Sequence, residues 1–365
     1  MAKHTNTLSV LHISASATAG GGPQHIATLI RHLQKIGIKN YICCPNDFPY
    51  WGIFEGIISS GRMTQIPHKE ICIKSIINVA QFIKSKNISV VHSHGRGAGI
   101  YGRLAAYLTR RPSVHTFHGA HTQSLPQPTR LVYSCIERAL ASITQHFIAV
   151  SKSEYETIIN LKFAPARKLI TIANGIEIPT APPQRKNNTD LTLLHVTRFD
   201  DAKNSDLLIP IISHLKKLIS NFKIKVAGDG PGKNAFKNKI RNLGLENHVT
   251  ILGYVPEMDT LYSSSDIVIS TSKSEGLPLA LLEAFAVGTP VVATTVPGNS
   301  DIITHGVDGF LFPINRPDTA AQHIHQLHKP DTWNMISNNC IKTSRLYTAS
   351  TMAEMTAAIY NAMCD

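Results

Sequence analysis

Short, mostly apolar runs rich in β-branched residues recur along the whole chain, with longer helix-patterned stretches between them. In the first half the runs lie at 8–14, 38–43, 89–92, 114–117, 147–150 and 169–172. In the second half they lie at 192–196, 223–227, 249–252, 267–270, 290–294 and 310–312. Helical patterns include 24–36, 100–108, 206–219, 235–243 and 278–287. Strands this apolar must be covered on both faces, and strand–helix alternation joins them in parallel. The expectation is an α/β protein of doubly wound parallel sheets. One break divides it: "IPTAPPQRKNNTD" is rich in proline and polar residues, has no apolar period, and reads as a linker. Residues 1–178 are thus one predicted domain, 179–190 the linker and 191–350 the second domain. A last helix near 351–363 has no strand after it and is free to pack back on the first domain. Two such domains are expected to face a deep cleft, with ligands at the carboxyl ends of the strands.

The length of 365 residues suits two domains of about 100–200 residues each. Six cysteines lie scattered with no CxxC pair, which indicates reduced thiols rather than a disulfide framework or a zinc site. The apolar run at 8–13 is interrupted by Ser9 and His12 and is too short for a signal-peptide core. No stretch reaches the roughly 18 apolar residues that span a bilayer, so a cytoplasmic protein is expected. Charge is uneven. Residues 1–180 carry 19 Lys and Arg against 7 Asp and Glu, and residues 181–365 carry 17 against 17, so 19 − 7 accounts for the whole +12. A basic half suits an acidic partner, namely nucleic acid, anionic lipid or a phosphorylated substrate, or serves solubility alone.

The stretch "TSKSEGLPLALLEAFAVGTP" places two carboxylates, Glu275 and Glu283, in an otherwise apolar context, where an acid is costly unless paired or hydrogen-bonded. It follows a buried strand, and Pro278 suits the first position of a helix, so the helix start faces the strand ends with free N–H groups. With a rise of about 1.5 Å per residue the two acids stand roughly 8–12 Å apart, a span fit for a diphosphate with a sugar hydroxyl at each end. Cations belong opposite the phosphates, and "HVTRFDDAKN" supplies Arg198 and Lys203 just after the strand at 192–196. Their bland alternative is a pair of solvated loop charges.

These stretches resemble the retaining GT-B glycosyltransferases of family 4 (glycosyl transferases group 1) over nearly the whole chain. The carriers are "TSKSEGLPLALLEAFAVGTPVVAT" with its E-x7-E spacing, "VPGNSDIITHGVDGFLF", "TRFDDAKN", "AGDGPG", "LGYV", "NGI" and the early "GGGPQ". The resemblance implies that Glu275 contacts the donor sugar, Glu283 the nucleotide ribose, and Arg198 and Lys203 the diphosphate. Gly276 and Leu277 would complete the phosphate pocket through their backbone, and Val255 would lie beside the base. Thr197 stands where the family more often has glycine, which predicts a less close-packed cation loop. No separate cofactor and no metal are implied, and the donor would be a nucleotide sugar, UDP-linked.

In the first half, Gly20–Gly22 follow the first strand, and Gly21 and Gly22 would face the donor phosphates and acceptor unless they form a plain tight turn. His118 of "VHTFHGAH" follows the strand at 114–117 and by resemblance touches the donor sugar or reaction centre. His92, His94, His115 and His121 lie nearby, but strand residues alternate faces and no carboxylate accompanies them, which argues against a metal. "HSHGRGAG" is expected to be a loop whose Arg96 meets an acceptor phosphate, whereas "AGDGPG" either closes a strand–helix turn or touches ligand. The implied activity is transfer of a hexosyl group to an acceptor hydroxyl, with retention, in cell-surface polysaccharide, lipopolysaccharide or glycolipid assembly. The acceptor would be a glycan or lipid-linked. The basic half, with Arg103, Arg110 and Arg111, would dock peripherally on the inner face of an anionic cytoplasmic membrane. Two rivals are a nucleotide-sugar epimerase of the same fold, which the E-x7-E pattern disfavours, and a nucleic-acid-binding protein, for which the chain lacks a recognised motif.

Overall fold

The computed structural model describes residues 8–68, 70–120, 126–180 and 190–364. The chain divides into two compact units, Met1–Gly175 with Ala349–Asp365, and Ile176–Thr348. The proposed linker falls largely on 181–189, outside the described residues, as does His121.

Unit 1 holds the strands β1 (Ser9–Ser14), β2 (Lys39–Cys44), β3 (Met63–Gln65), β4 (Val90–His94), β5 (Ser113–Thr116), β6 (His146–Ala149) and β7 (Leu169–Thr171). Its helices are α1 (Gly21–Lys35), α2 (Tyr50–Ile57), α3 (Ile73–Ser85), α4 (Arg96–Thr109), α5 (Gln127–Ser142) and α6 (Lys152–Leu161), closed by the last helix of the chain. Unit 2 holds β8 (Leu191–Val196), β9 (Phe222–Ala227), β10 (Val249–Gly253), β11 (Ile267–Ser270), β12 (Val291–Thr294) and β13 (Phe310–Phe312). Its helices are α7 (Leu208–Leu215), α8 (Lys233–Asn242), α9 (Asp259–Ser263), α10 (Leu279–Ala286), α11 (Asn299–Ile302), α12 (Pro317–Leu327) and α13 (Pro330–Ser344). The chain ends on α14 (Ala349–Ala362), which belongs to unit 1 and packs against α1.

Both sheets are parallel throughout, in the orders β3-β2-β1-β4-β5-β6-β7 and β10-β9-β8-β11-β12-β13. This is the doubly wound α/β architecture expected from the sequence. All six residues of β1 are buried, so its side chains feed cores on both faces. Leu11 and Ile13 join Val79 and Ile83 of α3 and Tyr101 of α4. On the other face Val10 packs with Leu29 and Leu33 of α1 and with Met352 and Tyr360 of α14. The short edge strand β3 has no counterpart in the sequence reading, because "MTQ", three residues with one apolar side chain, is too short to show an apolar run or alternation.

Three helices, α1, α4 and α8, start earlier than their apolar period suggests, and in the first two this changes the reading of a loop. α1 begins at Gly21 and α4 at Arg96, so Gly21, Gly22 and the tail of "HSHGRGAG" are first helical turns rather than loops. Glycine suppresses the periodic signal, yet in α4 it is the fit that requires it. A Cβ on Gly97 would meet Ala15 Cβ at 2.8 Å and one on Gly102 would meet Ser93 Cβ at 2.7 Å. The helix therefore lies tight on the sheet.

Candidate active site

In unit 2 the strand order reverses between β8 and β11, so the loops after these two strands leave to opposite sides and open a crevice at the carboxyl ends. The β8 loop carries Arg198 and Lys203, and the β11 loop carries Ser272 and Glu275. Lys203 Nζ donates to Glu275 Oε1 at 2.6 Å, and Ser272 Oγ donates to the same oxygen at 2.6 Å. The loops are stitched by backbone as well. Thr271 Oγ1 donates to the Lys203 carbonyl at 2.9 Å and the Lys273 N–H to the Ala202 carbonyl at 2.8 Å. Arg198 is exposed and grips Asp200 Oδ2 through Nε and Nη2, both at 2.5 Å. A third pair joins Lys273 to Asp201. Each cation of this crevice thus has an anion beside it. A lysine offers three N–H donors and an arginine five, so these contacts leave donors for a further anion.

Glycines set the shape of the cation loop. Gly228 and Gly230 have φ of +132° and +147°, and a Cβ on them would fall 1.7 Å from the carbonyl oxygens of Thr197 and Arg198. "AGDGPG" therefore serves to bring its loop onto the backbone of residues 197–199. Thr197 does not loosen that contact, contrary to the expectation from the missing glycine. Its Oγ1 accepts from the Phe199 N–H at 3.2 Å and bonds Ser205 Oγ at 2.7 Å, which turns its side chain inward. The β11 loop is buttressed likewise. Gly298, at φ +85°, leaves no room for a Cβ, which would lie 2.8 Å from the Glu275 carbonyl oxygen, and Thr294 Oγ1 donates to the Ser272 carbonyl at 2.6 Å.

α10 begins at Leu279 with Pro278 as its cap, one residue later than the sequence reading, and Gly276 and Leu277 form the turn before it. The first N–H groups of α10 have no acceptor within the helix. Glu283 sits on the second turn, half-buried, with Oε2 accepting from the Tyr262 hydroxyl at 2.8 Å. Tyr262 is buried, and burial beside the carboxylate pushes its phenol well up, so it stays a donor. Val255 follows β10 and is half-exposed in its loop.

In unit 1 the carboxyl ends of β1, β4 and β5 carry histidines instead of charges. His92 and His94 lie two apart on β4 and so share a face, which brings them to His12 of β1. Alternation therefore gathers these two rather than separating them. The nitrogens of His12, His92 and His94, and those of His25, His94 and His118, lie within 4.8 Å of one another in each set. Both ring nitrogens of His12, His92 and His94 are already engaged by neighbours. His12 bonds His94 and Asn40, His94 bonds His12 and His118, and His92 bonds Tyr360 and Thr116. A cation in either set would have to displace such bonds. His115 faces the other way, to Ser93 Oγ at 2.9 Å.

His118 stands at φ +55° with its edge at the surface and its ring withdrawn from water, which pushes its pKa down to about 4. The peptides after it are fixed by Glu154, a residue the site reading missed. One Glu154 oxygen accepts from the N–H groups of Gly119 and of Ala120, the latter at 3.0 Å. The other accepts from the Val150 N–H at 2.7 Å. The signal was present as S-x-x-E at Ser151–Glu154, where Ser151 Oγ caps α6. Gly21 is exposed and a Cβ on Gly22 would meet nothing within 4 Å, so the start of α1 is open. Arg96 is exposed, with its guanidinium 5.7 Å from the Tyr133 ring centroid.

The pattern described as Glycosyltransferase Family 4 matches residues 19–178, and that described as Glycosyl transferases group 1 matches residues 179–345. The chain is 27% identical over 285 residues to UDP-Gal:alpha-D-GlcNAc-diphosphoundecaprenol alpha-1,3-galactosyltransferase of Escherichia coli, covering 73% of each chain. It is 27% identical over 300 residues to the putative glycosyltransferase EpsD of Bacillus subtilis, covering 78% of this chain and 79% of that one. Among solved structures, Anabaena HepE in complex with UDP and glucose superposes with a TM-score of 0.84 at 18% identity, over 97% of this chain and 100% of that one. Sucrose-phosphate synthase of Thermosynechococcus elongatus does so with 0.81 at 19% identity, over 98% and 99%. The two Rossmann-like units are those of the GT-B fold.

Proposed function

The chain belongs to the family 4, group 1 glycosyltransferases, and on that premise we propose that it moves a hexosyl group from a UDP-linked sugar to a hydroxyl of a lipid-linked or glycan acceptor, with retention. One observation carries this reading: Lys203 and Glu275, 72 residues apart, meet at 2.6 Å in the crevice of unit 2, beside the turn that opens α10. A cation, an acid and a helix start in one place suit a sugar diphosphate. The diphosphate takes Lys203, Arg198 and the α10 N–H groups, the sugar hydroxyls take Glu275, and the ribose takes Glu283. Gly276 and Leu277 lend backbone to the phosphates and Val255 packs by the base.

In the reaction the bond from the anomeric carbon to the diphosphate oxygen breaks and a bond to the acceptor oxygen forms on the same face. The acceptor proton passes to the departing β-phosphate oxygen. Glu275, held by Lys203 and Ser272, acts as a counter-ion and hydroxyl acceptor rather than as a nucleophile, which favours this course. Charge developing on the leaving diphosphate is met by fixed donors, usually the largest single electrostatic term. These cations replace a divalent metal in the proposal, so turnover persists after exhaustive chelation. Restoration by magnesium or manganese of activity lost to EDTA overturns that part.

Unit 1 is assigned the acceptor, through the starts of α1 and α4, with Gly21 and Gly22 contributing to phosphate and acceptor binding and His118 to sugar binding. The E. coli relative is named for a UDP-galactose donor and a diphosphoundecaprenol-linked acceptor, which supports a UDP donor and a lipid-linked acceptor in cell-surface polysaccharide, lipopolysaccharide or glycolipid assembly. No helix among the described residues is long and apolar enough to cross a membrane. Attachment to the inner face of the cytoplasmic membrane is therefore proposed as peripheral. The test is a screen of UDP-sugars scored by UDP release with and without diphosphate-lipid-linked sugar acceptors. Acceptor-dependent release with one donor is expected, and acceptor-independent conversion of the donor instead overturns the transfer reading.

A further inference from the structure

The histidines of unit 1 form an ordered chain whose far end is anchored. Asn40, fully buried on β2, donates from Nδ2 to the Ile38 carbonyl at 2.9 Å, and this fixes which way its amide points. Its Oδ1 then faces His12 Nε2 at 3.0 Å. An amide oxygen only accepts, so His12 carries its proton on Nε2. His12 is buried and neutral, its pKa pushed down to about 4, which leaves Nδ1 a bare lone pair. That lone pair lies 3.2 Å from His94 Nε2, which must donate. Burial also keeps His94 neutral, so its Nδ1 is bare and lies 3.2 Å from His118 Nε2, which must donate in turn. Reversing every link would set the lone pair of His12 Nε2 against Asn40 Oδ1, acceptor against acceptor.

We propose that Asn40, His12 and His94 are positioning residues that hold His118 in the tautomer protonated on Nε2, so that His118 Nδ1 meets substrate only as a hydrogen-bond acceptor. Nδ1 has no partner among the described residues. The ring cannot readily turn to offer its other edge. His25 packs edge-on against it with centroids 4.5 Å apart, and Glu154 pins the two peptides that follow. The ligand class follows from the chemistry. A bare imidazole nitrogen accepts from a sugar hydroxyl and repels a phosphate oxygen, so His118 reads a hydroxyl of the donor or acceptor sugar and leaves the diphosphate to unit 2. His92 stays outside the chain, with both nitrogens taken by Tyr360 and Thr116.

This inference rests on the proposed placement of His118 beside the sugar, and its test separates the two ideas. Long-range 1H–15N correlation spectra of the full chain, labelled with 15N-histidine, distinguish bare from protonated ring nitrogens. The His118→Gln variant assigns the His118 signals. The expected wild-type result is a bare Nδ1 and a protonated Nε2 on His118. In Asn40→Leu the anchor is gone, and His118 is expected to show both tautomers averaged, with acceptor-dependent transfer reduced several-fold and UDP affinity unchanged. His94→Gln, which cuts the chain in the middle, should do the same and stands in if Asn40→Leu fails to fold. A wild-type His118 protonated on Nδ1 overturns the proposal, as does an unchanged His118 tautomer in either variant. If the tautomers behave as expected but His118→Gln transfers sugar at the wild-type rate, the relay stands and the placement of His118 at the sugar falls.

Discussion

Arg103 and Glu137 in unit 1 form a two-pronged pair at 2.8 and 2.9 Å with both side chains wholly buried. Lys203 and Glu275 in unit 2 meet at 2.6 Å with 24% and 12% of their side chains exposed. The first pair ties α4 to α5, and Arg103 also donates from Nε to the Gly99 carbonyl of its own helix at 2.8 Å. This sealed pair is closed to solvent. The open pair borders solvent, and Lys203 keeps N–H donors beyond the one given to Glu275. The same contrast runs through both sites. Unit 1 lines its strand ends with neutral, mutually bonded imidazoles, and unit 2 lines its own with three ion pairs. A neutral site suits orientation of hydroxyls, and a charged one suits a diphosphate.

The largest effect expected from this contrast is on stability. Glu137→Ala strands a buried guanidinium and should cost unit 1 about 3–5 kcal/mol, read as a shifted urea midpoint for its transition. A loss below about 1 kcal/mol would mean that water reaches Arg103, and the distinction between sealed and open pairs would collapse. The open pair should behave in the opposite way. Lys203→Ala is expected to destabilise less than Glu137→Ala, because solvent reaches the pair and Ser272 still donates to Glu275. Its transfer kcat/KM should fall about 10²–10³-fold, the typical cost of one charge-stabilising donor. A destabilised but fully active Lys203→Ala would reverse the two roles.

A finer cut divides the two acids of unit 2. Glu283, on the second turn of α10, accepts from the hydroxyl of Tyr262 on α9, whereas Glu275 accepts from Lys203 and Ser272. Glu283→Ala should weaken UDP binding by about 1.5–3 kcal/mol, the range for a hydrogen bond to a charged group. Glu275→Ala should mainly lower kcat. Equal UDP affinity in wild type and Glu283→Ala, by isothermal titration, would remove the ribose assignment.

How much of this was readable in the chain differs between the units for a physical reason. The strands and their parallel order follow from apolar runs, and the unit 2 loops follow from motif spacing, because Arg198, Lys203, Glu275 and Glu283 sit within two short segments. What escaped was pairing at a distance. Nothing local in "TRFDDAKN" tells that Lys203 meets Glu275 while Arg198 turns to Asp200. The histidine chain escaped for the same reason, since His12, Asn40, His94 and His118 come from four different segments that only the sheet order brings together. Glu154 escaped although its S-x-x-E signature was local, because a capping pattern does not reveal that its acid reaches the peptides after His118. The sequence offers Arg103 as a candidate membrane contact but does not show which face of its helix is exposed. The structure buries it, since glycines at 97, 99 and 102 draw that helix onto the sheet.

The burial of Arg103 moves the proposed membrane contact without removing its motive, and this carries the smallest expected effect per residue. Arg111 is also occupied, donating to Asn87 Oδ1 at 2.9 Å, whereas Arg110 is exposed beside exposed Tyr107 and Leu108 at the end of α4. Similar neighbours recur on the two helices packed to either side of α4. Ile73 of α3 is 76% exposed next to exposed Lys74, and Leu131 of α5 is 65% exposed next to exposed Arg130. Apolar side chains with adjoining cations suit an anionic bilayer, where each basic residue contributes about 1 kcal/mol within the screening distance of roughly 8–10 Å. Unit 2, with balanced charge, supplies no comparable attraction. Co-sedimentation with phosphatidylserine-containing vesicles should therefore be strong at low salt, weak at high salt, and lowered about fivefold or more by each of Arg110→Glu and Arg130→Glu. Reversal of surface charges in unit 2, such as Lys237→Glu, should change it little. Equal losses from both units would reduce the attraction to net charge, and failure to bind at low salt would leave the basic half serving solubility or the acceptor's own phosphates.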